Sequence, residues 1–269
     1  MFLDIIRNAV SYGIFFLYCA LIVLPFFALA YLSTSFVWFK LMYCAIIKLT
    51  GRVLMFATFL PVTYQGVNEL PLGPVIFVAN HQSTLDIPLI ASVVGSRECF
   101  WLAKSELFEY PLFNYLLLKS AIPVYPRNAE NYHLRGAVKA AVEKLQTGAS
   151  VILFPEGGRY VDGTIHPFFT GCAAMAKLSG APVVPLFISG TGIALPPRAR
   201  FIKRYPLMIT IGKPFVCGQE ESVSAFKERI ENWFIELNWR RNYLLDHYGI
   251  RICNTNFDRV ENGMLSRQA

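Results

Sequence analysis

The chain reads as an α/β protein, with a mostly parallel or mixed sheet flanked by helices and an N-terminal hydrophobic helical membrane anchor. Three observations predict this. The 32 residues between Arg7 and Lys40 include no Asp, Glu, Lys, Arg or His, whereas about 20 apolar residues suffice to span a bilayer. After Pro61, short apolar runs bounded by Gly, Pro and Asn alternate with helical periodicity, the pattern of βαβ units. Finally, 54% of the 269 residues are hydrophobic and 16% charged, too apolar for a disordered or ordinary fully soluble chain.

The uncharged N-terminal run is longer than a buried core helix usually sustains. It also continues past Ala28-Leu29-Ala30, which mimics a leader-peptide cleavage site. Pro25 lacks a backbone donor, so it either kinks one tilted span or marks the bend of a hairpin dipping into one leaflet. If the run spans once, Lys40, Lys48 and Arg52 follow it against Arg7 before it. The positive-inside rule then puts the bulk of the chain on the cytoplasmic side, of the inner membrane if the source is bacterial. A second apolar stretch, Leu41 to Leu60, contains Lys48 and Arg52, as expected of a helix lying near the headgroups. Residues 1–60 are thus expected to form membrane-anchoring helices, and residues 61–269 the α/β domain.

Strands are expected at Val62–Gln65, Pro74–Ala79, Cys99–Ala103, Ile122–Tyr125, Ser150–Phe154, Val183–Ser189 and Leu207–Gly212, each a short apolar run between turn residues. Helices fill the gaps. Leu134, Val138, Ala141, Val142 and Leu145 recur at helical spacing, with Gly148 just beyond as a stop. A C-terminal helix over Val223 to Tyr248 places Phe226, Ile230, Trp233, Phe234 and Leu237 on one side, a stripe that suits core packing.

Lys and Arg outnumber Asp and Glu by 25 to 18, for a net charge of +7. That balance suits anionic lipid, a phosphorylated substrate or nucleic acid. The cations are dispersed and match no RNA- or DNA-binding motif, so no nucleic-acid partner is expected. Cys19, Cys44, Cys99, Cys172, Cys217 and Cys253 show no CxxC pair and do not cluster with the four histidines. We read them as reduced packing residues, with no metal implied.

Two constellations could carry chemistry. The strand PVIFVA runs into Asn80-His81-Gln82-Ser83-Thr84-Leu85-Asp86, and Ser83 or Thr84 could cap the helix that follows. An acid five residues after a turn histidine can fold back to hold the imidazole in one tautomer and stabilise its cation. Alone the pair is weak, since chance supplies roughly 0.07 such spacings in a chain of this length. The other constellation is Phe154-Pro155-Glu156-Gly157-Gly158-Arg159 at the end of a second apolar strand. Glycines permit close backbone approach to a ligand, and a guanidinium fork suits a phosphate. Between the two lie Lys104, Glu106, Leu107 and Arg127.

In this order and behind a hydrophobic N-terminus, these residues resemble the glycerolipid acyltransferase family, over roughly Val62 to Gly212. His81 and Asp86 match its H-x4-D motif; Lys104, Glu106 and Leu107 match K-x-E-L; Arg127 matches the arginine of the second block. Phe154 to Arg159 matches F-P-E-G-x-R, and Val184-Pro185 the fourth block. The chain departs from the pattern at Ala121, Pro126 and Phe169, where the family often carries Gly, an acid and a basic residue.

The resemblance implies a membrane-bound acyltransferase that moves a fatty acyl group from acyl-CoA or acyl-ACP, a co-substrate rather than a cofactor, to 1-acylglycerol 3-phosphate. It implies His81 as general base and Asp86 as its orienter, with no acyl-enzyme. Lys104, Arg127, Glu156, Gly157 and Arg159 would form the acceptor site. Its partners would be the lysophospholipid, the acyl carrier and membrane lipids. Glycerol 3-phosphate, another lysophospholipid or a lyso-ornithine lipid are alternative acceptors. A non-catalytic lipid-binding scaffold is the reading from another class. No G-x-S-x-G is present, which argues against a serine hydrolase.

Overall fold

The computed structural model describes residues 2–26, 36–94, 97–110, 117, 120–125 and 134–248. Seven strands form one mixed sheet: β1 (Val62–Gln65), β2 (Ile76–Ala79), β3 (Cys99–Lys104), β4 (Ala121–Val124), β5 (Ser150–Leu153), β6 (Val183–Ser189) and β7 (Leu207–Ile211). Each falls on an expected apolar run. The spatial order is β1-β7-β6-β2-β5-β3-β4. The five strands from β6 to β4 are mutually parallel, whereas β7 runs antiparallel to β6 and carries β1 parallel to itself.

The central strands are buried on both faces, which is why they read as continuous apolar runs rather than alternating ones. Along β2, Ile76 and Val78 point to one layer and Phe77 and Ala79 to the other. The first layer is closed by α4 (Leu134–Gln146), α5 (Gly171–Ser179) and α7 (Val223–Tyr248). Within it Phe226, Ile230 and Phe234 of α7 are fully buried, so the C-terminal stripe serves the core. The second layer is closed by α3 (Asp86–Val93) together with Met55 and Leu60. A short helix, α6 (Thr191–Ala194), follows β6.

Before the sheet come α1 (Phe2–Tyr18) and α2 (Phe36–Ala57). The first continues as a π-helical segment, Cys19–Val23, into a helix that extends to Phe26. The wider turn stands just ahead of Pro25, whose missing N–H and bulky ring disturb the regular ladder. Phe2–Phe26 is long and apolar enough to cross a membrane, and Phe2, Leu3, Phe16, Leu17 and Leu21 are each at least 60% exposed. Such a surface points to membrane association.

Both helices attach to the α/β body. On α1, Asn8 is buried and holds Ile202 by two hydrogen bonds, accepting from its N–H at 2.7 Å and donating to its carbonyl at 3.1 Å. The guanidinium of Arg7 also donates to that carbonyl. The helices touch through Tyr18 and Thr50, whose hydroxyls are 2.9 Å apart.

The stretch Leu41–Leu60 carries exposed apolar residues, Met42, Leu49, Phe56 and Phe59, beside buried ones. Its second half is built into the core, where Met55, Ala57 and Leu60 are buried. At Gly51 a Cβ would lie 2.6 Å from the Ser92 backbone nitrogen and 2.7 Å from the Pro88 carbonyl. Glycine therefore lets α2 approach α3 backbone to backbone. At Met55, Ala57 and Leu60 apolarity therefore serves the core.

Candidate active site

The strand order places a crevice where chemistry is expected. From β2 the chain crosses to β3 on one side, and from the adjacent β5 it crosses to β6 on the other. Such a switch leaves an open cleft beyond the carboxyl ends of the two strands. The segment after β2 is Asn80–Asp86 and that after β5 is Phe154–Arg159.

Asn80 fixes the start of the first segment. It is 1% exposed, and its side-chain amide donates to the Ile188 carbonyl at 2.9 Å and accepts from the Ile188 N–H at 2.7 Å, clamping β2 to β6. His81 Nδ1 lies 2.8 Å from Asp86 Oδ2. The same oxygen accepts from the backbone N–H of Gln82 at 2.7 Å and of Ser83 at 2.8 Å. Asp86 is fully buried while the His81 side chain is 16% exposed. With Nδ1 engaged, Nε2 is the nitrogen left to meet a substrate.

The helix that begins at Asp86 has no side-chain cap at its N-terminus. Ser83 instead accepts from the Leu85 N–H and donates its hydroxyl to the Leu195 carbonyl at 2.6 Å. It is buried and so committed to structure.

The second segment holds the imidazole from below. The rings of Phe154 and His81 stack with centroids 3.8 Å apart and planes inclined by 13°. Trp101 of β3 backs Phe154 at 6.2 Å. Glu156 braces the loop from inside: it is 5% exposed and both oxygens are occupied internally. Oε1 accepts from the His81 N–H at 2.9 Å and Oε2 from the His166 N–H at 3.0 Å. Burial raises its pKa above the usual carboxylate range, against the opposing pull of these hydrogen bonds. The loop closes where the Tyr160 N–H donates to the His81 carbonyl at 2.9 Å.

Gly157 is exposed with φ +69°, a conformation suited to glycine. A Cβ there would lie 2.5 Å from the Phe169 ring. Arg159 and Lys104 are exposed at the same edge of the sheet. Arg127 lies outside the described residues. Among the expected site residues, the structure thus joins His81, Asp86 and Glu156 by hydrogen bonds and places Gly157, Arg159 and Lys104 on adjoining strand ends.

Sequence reasoning missed the clamp at Asn80, the stacking role of Phe154, and a second pair, His166 with Asp162. His166 Nε2 and Asp162 Oδ2 are 2.7 Å apart, and the His166 ring stacks on Tyr160 at 3.6 Å. The His166 hydrogen bond holds the Asp162 carboxyl below its ordinary range. This pair is far more open to solvent than His81 and Asp86. Among the described residues, no group of His, Cys, Asp and Glu is arranged to hold a metal ion.

Residues 61–189, which include both segments, match the acyltransferase family model. The matched segment is just under half of the chain. The fold is similar to that of the solved 1-acyl-sn-glycerophosphate (LPA) acyltransferase, PlsC, of Thermotoga maritima. That match has a TM-score of 0.69 and 26% identity, covering 87% of this chain and 95% of that one. Curated relatives are named 1-acyl-sn-glycerol-3-phosphate acyltransferase. The Brassica napus chloroplastic protein is 32% identical over 56% of this chain and 44% of its own length. The Cocos nucifera protein is 27% identical over 70% and 61%, and the Pseudomonas aeruginosa protein 27% over 64% and 66%. The chain spans about half the length of the first curated relatives it matches. Around the matched segment, the additional described elements are the helices α1 and α2 before it and α6, β7 and α7 after it.

Proposed function

We propose that this protein is a membrane-bound 1-acylglycerol-3-phosphate acyltransferase, which transfers a fatty acyl group from acyl-CoA or acyl-ACP to the free hydroxyl and yields phosphatidic acid. The observation that supports it best is the His81–Asp86 pair at the switch-point cleft, in a domain whose relatives carry that activity by name. The membrane anchor would be the α1 and α2 region, with the domain on the cytoplasmic side.

In this reading His81 Nε2 takes the proton of the acceptor hydroxyl as its oxygen attacks the thioester carbonyl. Asp86 stabilises the resulting imidazolium. Collapse of the tetrahedral intermediate expels the thiolate, to which the imidazolium returns the proton. No enzyme nucleophile is needed, and Ser83, the hydroxyl nearest in sequence, is buried and bonded to Leu195. Arg159, with Lys104 and Arg127, would hold the acceptor phosphate, and Gly157 would let it approach the backbone. Glu156 acts one step back, as the brace that sets the His81 backbone.

The deciding assay supplies the detergent-purified protein with radiolabelled acyl thioester and lysophosphatidate, set against glycerol 3-phosphate, other lysophospholipids and lyso-ornithine lipid. Label is expected in phosphatidate. No product from any acceptor would return the scaffold reading to the front.

Two graded effects follow. Arg159→Ala should raise the acceptor KM by about 10- to 100-fold with little change in kcat, the loss of a charge-assisted phosphate contact; an unchanged KM would remove Arg159 from the acceptor site. Phe154→Leu should lower kcat by up to about tenfold at constant KM, because a ring stack of ~0.5–1.5 kcal/mol no longer holds the imidazole plane. An effect confined to KM would place Phe154 in substrate binding instead.

A further inference from the structure

The segment between α6 and β7 presents Arg198, Arg200, Lys203 and Arg204 within seven residues. All four are exposed, and among the described residues none of them forms an ion pair. The surrounding sequence has no acid from Gly163 to Gln219. Phe201, in the middle of this cluster, is 62% exposed. A cationic loop with a projecting aromatic ring is the composition of a bilayer interface, where the ring enters the headgroup layer and the cations meet anionic lipid.

The loop is not free-standing. Its Lys203 N–H closes on the Ala194 carbonyl at 2.7 Å. Asn8 of α1 grips Ile202 from both sides of its peptide unit, and the Tyr12 hydroxyl donates to the Arg200 carbonyl. These contacts seat the loop on the first turns of α1, where the only charges of that helix, Asp4 and Arg7, are found; the two face each other at 3.5 Å. From Asn8 to Phe26 the helix is uncharged and largely exposed. The cations therefore border an apolar surface at its polar end.

We propose that residues 198–204 form a docking surface for the anionic headgroups of a bilayer, contributed by the α/β body and aligned with α1 through Asn8. The Ser83 bond to Leu195 ties the base of this loop to the turn that carries His81 and Asp86, so membrane contact and the cleft share one rigid support. The surface rests on the reading of α1 as lipid-associated and is independent of which acceptor or thioester the cleft uses. An acidic protein, such as an acyl carrier, would fit the charge but not the projecting Phe201 or the apolar flank.

The test is co-flotation of the full chain, diluted from detergent, with vesicles of phosphatidylcholine alone or with one third phosphatidylglycerol. The quadruple variant R198Q/R200Q/K203Q/R204Q is compared with wild type. Each removed charge should weaken binding to anionic vesicles about fivefold, the factor equivalent to ~1 kcal/mol. The quadruple variant should thus lose about 600-fold if the four charges act independently, and wild-type binding should weaken with added salt. Binding to neutral vesicles should be equal for both proteins. R198K/R200K/R204K, which keeps the charge, should bind anionic vesicles like wild type, separating electrostatics from folding. Equal binding of wild type and quadruple variant to anionic vesicles overturns the proposal. So does unchanged vesicle binding coupled with lost retention of acyl carrier protein. Failure of wild type on both vesicle types overturns the reading of α1 as well.

Discussion

His81→Ala is expected to lower kcat by about 10³-fold or more while the protein stays folded. Among the described residues the side chain makes one hydrogen bond, to Asp86, and one ring contact, to Phe154. The Asp86 carboxylate keeps its two backbone donors when the imidazole is gone, so the melting temperature should fall by only a few degrees. Acyl transfer measured beside a circular-dichroism melt separates the two effects. Near-normal turnover in the folded variant would end the general-base mechanism and send the search to another residue of the cleft.

Asp86→Asn should cost nearly as much, about 10³-fold in kcat, with acceptor and donor KM little moved. One oxygen of Asp86 receives all three donors, and among the described residues the other is buried without a partner. An asparagine carbonyl in the first position can keep the same donors, so the turn survives. What disappears is the negative charge that favours the imidazolium formed during transfer. Burial of the new NH2 group without an acceptor adds a stability loss of about 1–3 kcal/mol, readable as a lower denaturation midpoint. A variant that keeps full kcat would show that Asp86 serves only the turn. Together with His81→Ala this separates an orienting acid from a structural one.

The strands were legible because each central one is apolar throughout and ends in turn residues, as Ile76–Ala79 before Asn80 and Ser150–Leu153 before Pro155 illustrate. His81 and Asp86 were legible because they are five residues apart, and the chain between them can fold only a few ways. The way Glu156 braces the loop was not legible, since its two partners sit 75 and 10 residues away and a carboxylate beside glycines looks the same whether it faces ligand or backbone. The core role of Met55 and Leu60 was missed for a related reason, because apolarity does not say what covers a residue. The cations of residues 198–204 stand close together in the linear chain, but a short basic run does not say what it faces. They acquire meaning only from Asn8, nearly two hundred residues earlier.

The close approach at Gly51 bears on how this protein can be handled. Met55 and Leu60 are walls of the same interior that holds Leu89 and Ile90, and the helix carrying Met55 leans directly on the helix that begins at Asp86. Trimming away the first sixty residues to obtain a soluble catalyst would strip one side of that interior and loosen the support beneath the reacting carboxylate. The N-terminal helices and the α/β body share one core, and the protein is best kept whole, in detergent or lipid.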